Sequence, residues 1–208
     1  MKWNSKIKQY GTFKSISIVL SKLFKTQIMK FHYLKLNIDY SVALKHIEHI
    51  DLDVKELTYN DFLLGDKTVF CGKKLELIKK RCNDLSYKVY GIVENNKLLY
   101  STWISLDKLS LPIVGSKYTL LPEEGLLEDS YCHPSVRGRG LHSQMNFFRL
   151  AKLYELGKTK CVAIVLDGNM PAYKVQMKSG FNNLGYFYLG TLLGISVCTL
   201  RKEKYDNQ

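Results

Sequence analysis

The chain has 208 residues, 46% of them hydrophobic and 24% charged, with 31 Lys and Arg against 19 Asp and Glu and a net charge of +12. This length and apolar share suit one substantial core and exclude a disordered or fibrous chain. Five cysteines (Cys71, Cys82, Cys132, Cys161 and Cys198) sit singly without CxxC spacing, which argues against a disulfide framework or a zinc site and points to reduced thiols in a cytoplasmic protein.

The charge is uneven. Residues 1–38 carry eight lysines and no acid, leaving only +4 for the remaining 170 residues. Phe13, Ile16, Leu20, Leu23, Phe24 and Ile28 recur there at near-helical spacing, with Lys14, Lys22 and Lys25 on other faces. The spacing predicts a basic amphipathic helix, which fits peripheral contact with anionic lipid, an acidic partner, or packing on the domain with its lysines in water. The segment 1–38 is therefore read as an extension and 39–208 as the main domain. The longest apolar run, Ile16 to Leu20, is too short for a secretory signal or a bilayer crossing.

Further along, Lys30 to Ile38 alternates like a strand and Ser41 to Ile50 has helical spacing. Asp53 to Thr58 reads as a strand, and Phe62 to Arg81 as one or two helices. Tyr87 to Val93 and Leu98 to Ile104, joined by Glu94-Asn-Asn-Lys97, predict a β-hairpin. Leu106 to Pro122 reads as a loop with a short strand. Gly125 to Cys132 reads as a strand that leads through Pro134 into Arg137-Gly-Arg-Gly-Leu-His142. A helix follows from Arg139 to Leu156, with Leu141, Met145, Phe148, Ala151 and Tyr154 on one face and Gly157 as its stop. The continuous apolar run Val162 to Leu166 has the character of a strand buried on both faces in a parallel sheet. Pro171 opens a helix that Gly180 ends, and Leu184 to Leu189 with Ile195 to Lys202 form a closing strand pair.

The turn at 137–142 carries the chemistry. Glycines entering a helix let backbone N–H groups converge on one point, where the helix start adds partial positive charge and Arg137 and Arg139 add full charges. This is an anion cradle, and its spacing is neither GxGxxG nor GxxxxGK[ST]. Arg137-Gly-Arg-Gly-Leu-His142, preceded by a strand and His133-Pro134, resembles motif A of the GNAT superfamily of N-acetyltransferases, R/Q-x-x-G-x-G/A. Downstream, Asn169-Met-Pro-Ala172 with Ser179-Gly-Phe181 resembles the N-x-x-A…GF signature of motif B.

The resemblance implies an α/β (α+β) fold: a mixed, centrally splayed sheet flanked by helices, here with an N-terminal amphipathic helical extension. It implies acyl transfer from acetyl-CoA or another acyl-CoA to an amine, with no metal. The pyrophosphate of coenzyme A falls to Arg137, Gly138, Arg139, Gly140, Leu141 and His142, and the pantetheine arm to the backbone of Tyr131, Cys132 and His133 and to Asn169. Two positions depart from the pattern. His142 stands where glycine or alanine is usual, pointing outward or toward a phosphate. Gln176 replaces the tyrosine that often protonates the leaving thiolate, seven residues after the asparagine; Tyr173, one turn earlier, is the candidate substitute.

Acyl transfer to an amine whose pKa is near 10.4 also needs a base or a water chain. Glu128 and Asp129 precede the cradle, strand alternation lets only one face the cleft, and Glu128 is preferred. His133 is a second relay candidate or a turn residue. His46 and His49 read as surface. Trp103, Tyr100, Tyr186 and Tyr188 offer aromatic surface for a small-molecule amine acceptor, with an amino sugar or nucleotide-linked sugar as the expectation. The competing expectation is a catalytically degenerate module that binds nucleic acid or anionic membrane through the basic N-terminus; the lack of Arg-aromatic interleaving disfavours nucleic acid.

Overall fold

In the computed structural model the described residues are 27–41, 52–110, 117–192 and 195–202. The hairpin forms as expected: β3 (Tyr87–Glu94) and β4 (Lys97–Ser105) are joined at Asn95 and Asn96, both at positive φ (48° and 56°). That is the two-residue turn whose twist matches paired strands and which asparagine tolerates. The other strands are β1 (Gln27–Asn37), β2 (Lys55–Glu56), β5 (Lys108–Ser110), β6 (Lys117–Thr119), β7 (Glu124–Cys132), β8 (Lys160–Leu166), β9 (Asn182–Leu192) and β10 (Ile195–Lys202). The helices are α1 (Tyr59–Leu63), α2 (Gly72–Cys82), α3 (Leu141–Glu155) and α4 (Met170–Lys178).

Eight strands form one sheet in the order β10-β9-β1-β8-β7-β4-β3-β2, and β5 pairs with β6 in a separate ribbon. All the neighbours in the large sheet run antiparallel except β7 and β8, which are parallel as a βαβ crossover requires. Helices α3 and α4 cover one face, over a core that includes Leu34, Tyr100, Ile104, Met145, Leu150, Leu153 and Phe181. On the other face α1 and α2 cover Phe62, Phe70, Ile78, Trp103 and Tyr131, and the β5–β6 ribbon covers Tyr33, Leu126, Val162 and Phe187. The helix α3 sits directly on β7, since a Cβ at Gly125 would lie 2.2 Å from a methyl carbon of Leu153.

Several boundaries move. The strand β1 lies between β8 and β9 and pairs with both, so residues 27–37, within the segment read as an extension, lie in the sheet. Of the amphipathic helix, residues 13–26 lie outside the described residues, while Ile28 is in β1 and exposed. The helix at 41–50 also lies almost wholly outside them, with Tyr40 and Ser41 helical; His46 and His49 fall there too. The strand at 53–58 shrinks to Lys55–Glu56, the segment 62–81 resolves into two helices, and 106–122 contributes two short strands instead of one.

Candidate active site

Strands β7 and β8 pair only from Glu124–Lys160 to Leu127–Ala163. Beyond that point β7 stays with β4 while β8 stays with β1, so the sheet forks without stripping either strand of its outer partner. A bulge marks the fork. Trp103 opposes Glu128 and Thr102 opposes Ser130, which leaves Asp129 as the extra residue. An extra residue bends its strand and increases local twist, and here it steers β7 away from β8. Between the diverging strands lies a cleft of about 280 Å³, lined by Leu127 to Ser130, Ala163 to Leu166, His142 and Arg149 of α3, and Asn169, Ala172 and Gln176 of α4.

The cradle stands at the end of β7. Pro134–Val136 form a 3-10 turn capped by His133, whose Nδ1 accepts from the Ser135 N–H at 3.1 Å. His133 thus takes the turn role. Gly138 and Gly140 have φ of 78° and 73°, and Gly140 is the N-cap of α3. Glycine takes that left-handed conformation without strain; a Cβ on Gly138 would meet nothing within 4 Å, and one on Gly140 would meet Gln144 Nε2 at 3.9 Å. Within the described backbone bonds nothing accepts the N–H groups of Gly138, Arg139 and Gly140, and those of Leu141 and His142 have no acceptor inside the helix. Arg137 and Arg139 are exposed beside them, with Arg137 Nε donating to the Cys132 carbonyl at 3.2 Å. Asn169 caps α4, its Oδ1 accepting from the Ala172 N–H at 3.3 Å, so the two helix starts face the same cleft.

Other side chains land differently from expectation. The His142 ring is turned inward and its Nδ1 lies 2.7 Å from the Tyr100 hydroxyl. Burial, with the Arg149 guanidinium adding to it, pushes its pKa down to about 4, so it is neutral at pH 7. Tyr131 is buried against Phe70, ring centroids 4.8 Å apart, and burial raises its hydroxyl pKa; only its backbone can face the cleft. Burial likewise raises the thiol of Cys132. Glu128 borders the cleft, but its Oε2 lies 2.7 Å from Nη2 of Arg81 on α2, the opposite face of the sheet. The carboxylate expected to face the acyl site is therefore held elsewhere.

Tyr100 and Trp103 are core residues, 0% and 2% exposed, which removes them from any acceptor surface. Tyr186 and Tyr188 are half-buried on β9. Tyr186 and Tyr173 both pack on the His32 ring, with centroids 5.1 and 4.4 Å away. His32 Nε2 is 3.1 Å from Asp167 Oδ1, directly after β8.

Sequence reasoning missed the polar floor of the cleft. Arg149 is 2% exposed; its Nη2 donates to Asn146 Oδ1 at 2.8 Å and its Nη1 to the Glu128 carbonyl at 3.3 Å. Asn146 Nδ2 donates in turn to Gln176 Oε1 and Ser179 Oγ at 3.2 and 2.8 Å, tying α3 to α4. The buried face of α3 is Met145, Asn146, Arg149, Leu150, Ala151 and Leu153; of the expected stripe Met145 and Ala151 belong to it, Leu141 and Phe148 pack half-buried against the core, and Tyr154 is 36% exposed. Two polar residues on an apolar stripe were the available signal.

No family model and no curated protein matches the sequence. Solved structures match by shape. A protein of the GNAT family from Novosphingobium aromaticivorans superposes with a TM-score of 0.53 at 13% identity, over 86% of this chain and 68% of that one. A Drosophila protein gives 0.57 at 12% identity, over 81% and 52%. A conserved protein of unknown function from Staphylococcus epidermidis gives 0.55 at 11%, over 82% and 65%. The chain spans between about half and two thirds of the length of these structures. The forked sheet with its flanking helices is the GNAT fold, as the 137–142 turn led us to expect.

Proposed function

We propose that the chain is an acyl-CoA-dependent N-acyltransferase, in the simplest case an N-acetyltransferase, that transfers directly to an amine. One observation carries this reading: parallel neighbours that part after Leu127 and Ala163, with two positive-φ glycines and a helix start at the mouth of the gap. The cradle of Gly138 to His142, with Arg137 and Arg139, offers N–H donors and charge suited to a diphosphate. The backbone of Asp129 to Cys132 has no strand partner on its β8 side, which suits an extended arm that pairs like a strand. Acetyl-CoA would supply a thioester whose carbonyl an amine attacks, with the C–S bond breaking and the thiolate leaving.

Within this reading Glu128 is a structural ion-pair residue, and the amine's proton leaves through solvent in the open cleft. Tyr173 remains the proposed acid for the thiolate. His32 orients its ring, and Asp167 orients His32. Tyr186 and Tyr188, on the same wing, are the remaining aromatic surface for a sugar-linked amine.

Calorimetry of the full chain with acetyl-CoA tests the core of the proposal: saturable binding is expected, and no heat and no thermal shift at millimolar ligand would refute it. An acceptor screen with amino sugars then reads turnover by release of free thiol. Tyr173→Phe should keep the Kd for acetyl-CoA and lower kcat by about a hundredfold, the lower end of acid catalysis. An unchanged kcat would remove Tyr173 from the chemistry.

A further inference from the structure

Among the described residues the buried charges other than that of Arg149 meet a partner of opposite sign. Glu124, 4% exposed, meets Lys35 Nζ at 2.5 Å and accepts from the Leu121 N–H. The buried carboxylate of Glu128 meets Arg81. Arg149 is the exception: no carboxylate of the described residues lies within 4.0 Å of its guanidinium, which instead donates to a side-chain amide oxygen and a backbone carbonyl. Its Nε is buried without a hydrogen-bond partner. A buried cation among neutral acceptors is expensive, and such groups persist where an anion completes them.

Its position says where that anion comes from. Arg149 lines the cleft and donates to the carbonyl of Glu128, the first residue beyond the last β7–β8 pair. Eight residues of helix from Leu141 cover about 12 Å, and the four steps back along β7 from Cys132 to Glu128 cover about 13 Å. The helix thus returns from the cradle to the point where the strands close, and Arg149 stands at the closed end of the cleft, opposite the mouth that would hold the diphosphate. An extended thioester entering from the cradle reaches Arg149 with its acyl chain. An amine acceptor must come from the open side.

On the acyltransferase reading, we infer that this cleft selects an acyl group ending in a carboxylate, the coenzyme A thioester of a short dicarboxylic acid, and that Arg149 is the residue that recognises it. The guanidinium makes charge-assisted bonds to the carboxylate, and Asn146 holds its other edge. Gln176 adds a neutral donor, since its Oε1 is turned to Asn146. The two acids of the cleft wall do not oppose this, because Glu128 is paired with Arg81 and Asp129 with Lys74 at 3.8 Å.

The test compares free CoA, butyryl-CoA and succinyl-CoA, the last two differing in a terminal methyl or carboxylate, by titration of the full chain. Succinyl-CoA should bind at least about tenfold tighter than butyryl-CoA. Arg149→Met should erase that ratio and leave the Kd of free CoA unchanged, with Arg149→Lys retaining part of it. If free CoA binds and the two thioesters bind equally to the unaltered protein, the inference is overturned while the acyltransferase reading stands. If free CoA does not bind, both fall. A preference that survives in Arg149→Met, or an effect of that variant confined to the KM of a carboxylate-bearing amine acceptor, also overturns it.

Discussion

Two arginines meet the same residue of β7 from opposite faces of the sheet, and they are solvated by the protein in opposite ways. Arg81, from α2, reaches the Glu128 carboxylate at 2.7 Å, and its guanidinium lies 5.1 and 5.6 Å from the ring centroids of Tyr87 and Trp103. Arg149, from α3, reaches the carbonyl of the same Glu128 and a side-chain amide. The first cation has its counter-charge within the fold, although its Nε, like that of Arg149, is buried without a hydrogen-bond partner, so its removal is a matter of stability. The second is not, so its removal is a matter of what the cleft binds. Burial alone does not separate the two; the partner does.

The largest expected effect follows from the completed pair. Glu128→Gln leaves Arg81 buried without a counter-charge, and breaking such a pair by removing one partner costs about 3 kcal/mol or more. Urea unfolding should show this as a lower midpoint with unchanged slope, and an unaltered midpoint would mean the pair is bathed by water. The next effect concerns the face of Arg149. His142 has its pKa lowered from an ordinary 6.5 to about 4. The unfolded chain therefore binds a proton that the folded one refuses, and stability is fully present above pH 6.5 and lost as pH falls toward 4. The loss is about 3 kcal/mol over that window, and it should vanish from the pH profile of His142→Gln. Smaller again is Gly140→Ala: its φ of 73° costs an alanine about 1 kcal/mol of stability. The added methyl at the mouth should also weaken CoA binding about tenfold, while leaving the Glu128 and His142 behaviour untouched.

The two faces also differ in how far the sequence discloses them. The cradle was legible because glycine, proline and the helix start act locally, and Arg137 to His142 needs no distant partner to be recognised. The strand–helix–strand order around it follows from periodicity alone. The partner of β1 was not legible: a strand of 11 residues that settles between β8 and β9 is chosen by packing across the chain, and nothing within Gln27–Asn37 announces it. Alternation suggested that Glu128 would face the cleft, but the bulge at Asp129 interrupts the alternation where it mattered. Asn146, Arg149 and Gln176 acquire meaning only when α3 and α4 are brought together.

The smallest expected change in stability is the sharpest contrast with Glu128→Gln. Arg149→Met keeps the unbranched apolar stem of the side chain, ends two bonds short of the guanidinium Nη atoms, and removes a charge whose burial the fold does not repay with an acid. Two hydrogen bonds are lost, at the Asn146 amide and the Glu128 carbonyl, each worth about 2 kcal/mol because the donor is charged. Against this stands the desolvation of a guanidinium that is 2% exposed, a cost of several kcal/mol that the variant no longer bears. The balance should leave the unfolding midpoint within about 1 kcal/mol of the parent, on either side. A loss as large as that of Glu128→Gln would show that Arg149 has an internal counter-charge after all, and the distinction between a cation that completes the fold and one that waits for substrate would collapse.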